Sequence, residues 1–204
     1  MSASHDPYTP PAAALQDLPP DDIRDAPFFV VSPTKVMLLS ICTLGVYQLY
    51  WFYMHWQRWR RGRSETVWPV ARAIFALFYV HALERRIGDV LDARAVTRHR
   101  ATFAAATLYV VLTALDIGSA IAWPWISHRI PDIWLGAFEW SSLVLVLPIS
   151  GCMCILQRAA NAACGDPDAL SNRRFTLYNA AWILGGVSLS AWVFYMDVVG
   201  NAVP

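Results

Sequence analysis

Charge is what this 204-residue sequence has least of. Asp, Glu, Lys and Arg together make up 15% of it, against roughly 25% in an ordinary soluble domain. That shortage argues against a water-soluble globule. Short catalytic motifs are missing too: there is no G-x-S-x-G, H-E-x-x-H, P-loop or G-x-G-x-x-G. Their absence lowers the expectation of an enzyme without excluding one, because membrane enzymes can dispense with short motifs. Residues 1–27 hold six prolines and five aspartates but no apolar core of signal-peptide length. The first hydrophobic block is thus expected to be retained. Cysteine is scarce: Cys42, Cys152, Cys154 and Cys164 lie in or just beyond apolar blocks, unlike a secreted disulfide framework, and are expected to be reduced.

What is present is apolar surface. The chain is 56% hydrophobic with ten tryptophans, and the excess is gathered into long blocks separated by charged loops. That is the pattern of an all-α, polytopic membrane helix bundle. The acidic, proline-rich stretch 1–31 cannot bury enough surface to offset its ordering entropy, and disorder is expected there. Residues 32–204 are expected to form one integral membrane domain, opened by Ser32-Pro33, a helix start signal. Four blocks qualify as spans, at about 36–54, 101–123, 133–156 and 178–199, each near the roughly 30 Å hydrocarbon thickness. Thr43, Gly45 and Gln48 are able to break the first midway. The block from Trp68 to Leu83 is short and carries Arg72 and His81, which predicts a re-entrant or interfacial helix. The following LERRIGDVLDARAVTRHR reads as a solvated helix leading into the second span.

Charge orients the bundle. Residues 53–100 hold ten arginines against four acids, and loop 157–177 adds Arg158, Arg173 and Arg174. Loop 124–132 has Arg129 alone, and no charged side chain follows Val199. The positive-inside rule puts the two basic stretches in the cytoplasm. Two topologies remain: four crossings with both termini outside, or a first block that turns back at Thr43-Leu44-Gly45 and leaves the N-terminus inside. Tyr50, Trp51, Tyr53 and Trp56 at one face, and Trp123, Trp125, Trp134, Trp192 and Tyr195 at the other, are expected to form interfacial belts.

Four sets of residues are candidates for chemistry or contact. Asp116 and Glu139 fall at nearly equal depth in a hairpin of the second and third spans, an intramembrane polar site that would tend to share a proton. The alternative is that each reaches the outer interface or pairs with His128 or Arg129. Arg58, Arg60, Arg61 and Arg63, interleaved with Trp56 and Trp59, form the expected anchor for anionic headgroups, at about 1 kcal/mol per basic residue; nucleic acid is not the expected partner. Cys152 and Cys154 point some 200° apart on a helix, so no metal site is expected. Ala181/Gly185 and Gly186/Ser190 are small residues four apart and predict a helix-packing face, within the bundle or between subunits.

One stretch resembles known sequences. VSPTKVMLLSICTLGVYQLYWFYMHWQRWR followed by WPVARAIFALFYVHAL is similar to a group of uncharacterised bacterial multi-pass membrane proteins, domains of unknown function. The resemblance is carried by Lys35, Thr43, Leu44, Gly45, Tyr47, Trp51, Phe52, Tyr53, Arg72, Ala73, Ile74 and Phe75. QRAANAACGDP, with Asn161, is also similar. It covers most of residues 28–180 but is specific only in the first part. It implies a bacterial inner membrane protein and transfers no catalytic residue. The resulting expectation is a non-enzymatic, multi-pass protein of the bacterial inner membrane, without a cofactor, acting through anionic lipid or a membrane protein partner, a second copy included. The first alternative is a small proton- or cation-coupled transporter or channel using Asp116 and Glu139. The second is a membrane-embedded enzyme on lipid substrates, which needs His55, His81 and Arg72 in one polar cluster.

Overall fold

The structure, a computed structural model, describes residues 26–61, 63, 65–97, 100–131 and 141–202, the side chains of 141–142 and 197–202 excepted. Among the described residues all regular structure is helical: α1 (Pro33–Cys42), α2 (Tyr47–Arg60), α3 (Pro69–Ile74), α4 (Ala76–Ala93), α5 (Arg100–Ile126), α6 (Ser141–Ala163) and α7 (Leu177–Ala202). Short 3₁₀ turns lie at Ser127–Arg129 and Leu170–Asn172. α5, α6 and α7 are each long and apolar enough to cross a membrane. Residues 133–140, the start of the third predicted span, lie outside the described residues; α6 continues beyond Leu156 to Ala163.

α6 is the axis of the bundle. Ile149, Cys152, Met153, Leu156, Gln157, Ala160 and Asn161 are buried along one stripe at helical spacing. α1, α4 and α5 pack around it.

The first apolar block is not one helix. α1 begins at Pro33, whose fixed φ suits a first helical turn, and ends after 10 residues, about 15 Å. The closing turn is a Schellman arrangement, in which Gly45 N–H donates to Ser40 O (2.8 Å) and Leu44 N–H to Ile41 O (3.1 Å). Leu44 (φ 48°) and Gly45 (φ 88°) are left-handed. The Thr43 hydroxyl donates to Leu39 O (2.8 Å) and accepts from Tyr47 N–H (2.9 Å), ending one helix and starting the next. A continuous helix over 36–54 is thereby replaced by two short ones. They form a hairpin: Phe28, just before α1, stacks on Trp59 near the end of α2 at 5.4 Å between ring centroids. The chain enters and leaves this hairpin at the same end of the bundle.

The boundary of the tail also moves. Ala26 and Phe28–Val31, expected to be disordered, are buried, as an extended strap whose backbone bonds to side chains instead of a sheet. Asn161 Nδ2 donates to Val31 O (3.0 Å) and its Oδ1 accepts from Val31 N–H (3.3 Å). Gln157 Nε2 donates to Phe29 O (2.9 Å) and Asn172 Nδ2 to Val30 O (3.0 Å). Buried backbone groups need such partners. Residues 1–25 lie outside the described residues.

The Trp68–Leu83 block divides at Phe75 into α3 and the start of α4. α4 is amphipathic, burying Ala76, Val80, Leu83, Ile87 and Leu91, so the second half of the predicted interfacial helix runs on into the predicted solvated helix as one element, while its first half is α3. Its start and α3 leave Trp68 (71%), Ile74 (62%), Phe75 (54%) and Phe78 (74%) exposed. Trp51 and Trp56, expected in an interfacial belt, are fully buried in the core, whereas Trp125, Trp192 and Tyr195 are exposed.

Candidate functional site

Two places concentrate polar chemistry. The first is a basic and aromatic layer where the end of α2 meets α3 and α4. α2 presents Trp56 and Trp59 one turn apart, buried. The Arg72 guanidinium of α3 lies 4.3 Å from the Trp56 ring centroid and 5.2 Å from that of Tyr79. Arg86 of α4 lies 4.8 Å from Trp59 and 5.7 Å from Trp56. Arg63 completes the layer at 3.7 Å over Trp59, donating also to the Trp59 carbonyl (3.1 Å). Cation–π contact of this kind is worth about 0.5–2 kcal/mol per pair, more where water is excluded.

One carboxylate joins the three cations. Glu65 pairs with Arg86 (2.9 Å) and accepts from Trp59 Nε1 (3.1 Å). Hydrogen bonds from Arg86 and then Trp59 hold its carboxyl below the usual range. The Trp56 indole N–H and the Arg86 Nε are buried and meet no acceptor among the described residues. The layer is short of acceptors.

Of the four arginines singled out in the sequence, Arg63 belongs to this layer. Arg60 and Arg61 are exposed at the end of α2, and Arg58 is partly buried. Arg86 and Glu65 were not among the site residues singled out in the sequence, and Arg72 was singled out as one only for a cluster with His55 and His81; what joins them is the folding of α3 and α4 over Trp56 and Trp59.

The second place is a cavity of about 330 Å³ between the α1–α2 turn, the α3–α4 corner and α5, lined by Leu44, Gly45, Gln48, Tyr109, Thr113 and Asp116 among others. Tyr109, Thr113 and Asp116 follow one another along one face of α5. The Tyr109 hydroxyl donates to Gln48 Oε1 (3.1 Å). Asp116 therefore faces a cavity. Its predicted partner Glu139 lies outside the described residues.

The remaining candidates separate. His55 is fully buried against Phe28, Phe29 and Trp51, with Nε2 3.2 Å from Gln157 Oε1. His81 lies against Phe103, and Arg72 against Trp56. No hydrogen bond, ion pair or ring contact among the described residues joins the three. The Cys154 thiol meets the Pro33 carbonyl at 3.2 Å, while Cys152 is buried in the core; all four cysteines are free. Gly186 sits against the end of α1, where a Cβ would come within 2.8 Å of Thr43 Cα and collide with the Cys42 carbonyl. Gly185 has nothing within 4 Å of its Cβ position. Ala181 and Gly185 line an apolar groove of about 350 Å³ beside Trp182, and the Ser190 hydroxyl bonds back to the Gly186 carbonyl (2.8 Å).

No protein-family model matches the chain, and no curated protein or solved structure matches it.

Proposed function

We propose that the chain is a multi-pass protein of the bacterial inner membrane that acts through lipid and protein contacts and not by catalysis, with its basic and aromatic layer in the cytoplasmic headgroup region. The observation that carries this reading is the juxtaposition of that layer with exposed Trp68, Ile74, Phe75 and Phe78. Apolar side chains on the membrane side of a cluster of arginines match a leaflet whose acyl region lies beneath anionic phosphates. α5, α6 and α7 cross, and α1 with α2 forms a re-entrant hairpin that starts and ends in the cytoplasm. Two features support this. Neither short helix reaches 30 Å, and Thr43 meets Gly186, nine residues and roughly 14 Å along α7, near mid-bilayer. The N-terminus is then cytoplasmic and the C-terminus outside. α7, exposed along most of its length, is open to lipid, a second copy or another membrane protein.

The test has two arms. Reporter fusions should place the N-terminus inside and the C-terminus outside; an external N-terminus removes the hairpin. In nanodiscs, replacing zwitterionic by anionic lipid should raise the unfolding midpoint, and no rise at low salt would count against lipid contact.

A second reading is favoured by the cavity. A helix broken near mid-bilayer, facing a carboxylate across a partly open cavity, is an arrangement that transporters use for coupling ions. Asp116 would then carry a proton or cation. Asp116→Asn should abolish a pH-dependent flux in proteoliposomes while the protein still folds; an unchanged flux removes this reading.

A further inference from the structure

We infer that the basic and aromatic layer is a binding site for a single phosphate group, held among Arg63, Arg72 and Arg86 on the Trp56/Trp59 platform. This rests on the headgroup reading above and makes it specific: one defined site, not a diffuse anionic attraction. Three guanidiniums and one carboxylate leave a formal surplus of two positive charges in one layer. Arg72 and Arg86 share the Trp56 ring, and Arg86 and Arg63 share the Trp59 ring. Three cations would ordinarily repel one another into water; here indole faces and the α3–α4 corner hold them together. The surplus is in donors as well as in charge, since the Trp56 indole N–H and Arg86 Nε have no acceptor among the described residues.

The ligand chemistry follows from what is lacking. Several planar guanidinium forks want several oxygens on one small anion, which phosphate supplies and a halide does not. A carboxylate is already present as Glu65, bonded to Arg86 and Trp59, and leaves Arg72 without an ion-pair partner among the described residues. Glu65 acts as an internal competitor that holds Arg86 while the site is empty. The exposed Trp68 and Phe78 beside the layer give a lipid-borne phosphate somewhere to rest its glycerol and chains. A free phosphate would use the same donors without that support.

The experiment uses the full chain in maltoside micelles, which carry no phosphate, with tryptophan fluorescence as the readout because the site's walls are Trp56 and Trp59. One arm titrates phosphatidylglycerol against diacylglycerol, which has the same chains and no phosphate. The other titrates inorganic phosphate against chloride at equal ionic strength. Saturable binding of phosphatidylglycerol and not diacylglycerol is expected. Arg72→Gln and Arg86→Gln should each weaken it roughly tenfold or more. Glu65→Gln should tighten it several-fold, a direction that a merely scaffolding role for the layer does not give. Inorganic phosphate binding as tightly with the same arginine dependence would assign the site to a free phosphate; binding of the lipid alone assigns it to a headgroup.

Arg72→Lys keeps the charge on a less disruptive side chain, and it should bind better than Arg72→Gln if the glutamine variant folds poorly. Anionic lipid binding unaltered by the substitutions at Arg72 and Arg86 would overturn the site while leaving the headgroup reading intact. A Glu65→Gln protein that binds more weakly than the parent would also overturn it. No effect of either phosphate source on the parent protein would remove both.

Discussion

Asn161→Leu should release the N-terminal strap from the bundle. The two side chains are close in volume, so the change removes bonding without opening a large cavity. It leaves the Val31 N–H and C=O without their partners at 3.3 and 3.0 Å, in a residue that is 2% exposed. A buried backbone group stripped of its bond costs about 1–3 kcal/mol, so the pair costs about 2–6 kcal/mol. Gln157 Nε2 also loses its 2.7 Å bond to Asn161 Oδ1 but keeps Phe29 O. Burying the leucine returns about 1.5–3 kcal/mol. At mid-range the net is about 2 kcal/mol, or roughly thirtyfold in the population of the open strap.

The loss should be local, because the strap's remaining anchors, Gln157 to Phe29, Asn172 to Val30 and Phe28 on Trp59, hold one residue each. Chymotrypsin cleavage at Phe28 and Phe29, limited by opening, should therefore rise by that factor while the bundle's own unfolding midpoint moves less. Cleavage within twofold of the parent protein, with an unchanged midpoint, would refute the idea that Asn161 holds the strap.

Three more outcomes follow from the corner between α1, α2 and α7 and from the loop after α6. Thr43→Val keeps the shape but removes the bridge between Leu39 O and Tyr47 N–H. It should lower stability by about 1–3 kcal/mol, measured by denaturant unfolding in detergent, whereas Leu44→Gly relieves a left-handed φ of 48° and should cost nothing or stabilise by up to about 1 kcal/mol. Gly186→Ala should destabilise by about 1–3 kcal/mol through overpacking against Thr43 and change the fluorescence of Trp182, while Gly185→Ala, with open space at its Cβ, should be near neutral by both measures. Burial raises the Asp166 carboxyl, but bonds from the Ser171 hydroxyl and from the Ser171, Leu170 and Ala169 N–H groups outweigh it and hold it below the usual range. The depressed value means that its contribution is present in full above the unfolded pKa, near 4, and is lost as pH falls through the folded one. Hydrogen exchange at Leu170 and Ser171, corrected for intrinsic rates, should speed up on acidification in the parent protein and be fast at all pH values in Asp166→Ala.

Long apolar blocks with few charges gave α5, α6 and α7 as helices long and apolar enough to cross a membrane, because length and composition alone set that property. Ser32-Pro33 likewise marked the start of α1 from local stereochemistry alone. The asymmetry of arginine needed no tertiary information either, since it is a count along the chain. The sequence by itself therefore determined helical class and the presence of helices apolar enough to cross a membrane, and it offered two topologies without choosing.

Tertiary structure decided what is buried and what meets what. Thr43-Leu44-Gly45 is compatible with a helix by composition; the break depends on Thr43 bridging Leu39 and Tyr47, and on α7 offering Gly186 at that height. Phe28–Val31 look like the end of a polar tail, and their burial depends on Gln157, Asn161 and Asn172, more than a hundred residues away, supplying the hydrogen bonds that a sheet would have given. Trp56 reads as a belt residue from its place beside arginines. It becomes the floor of a cation cluster only once α3 and α4 fold Arg72 and Arg86 over it. Local pattern fixes which segments leave water, because transfer free energy is additive along the chain. Polar partners and close approaches are properties of pairs, and the sequence does not say which residues will be paired.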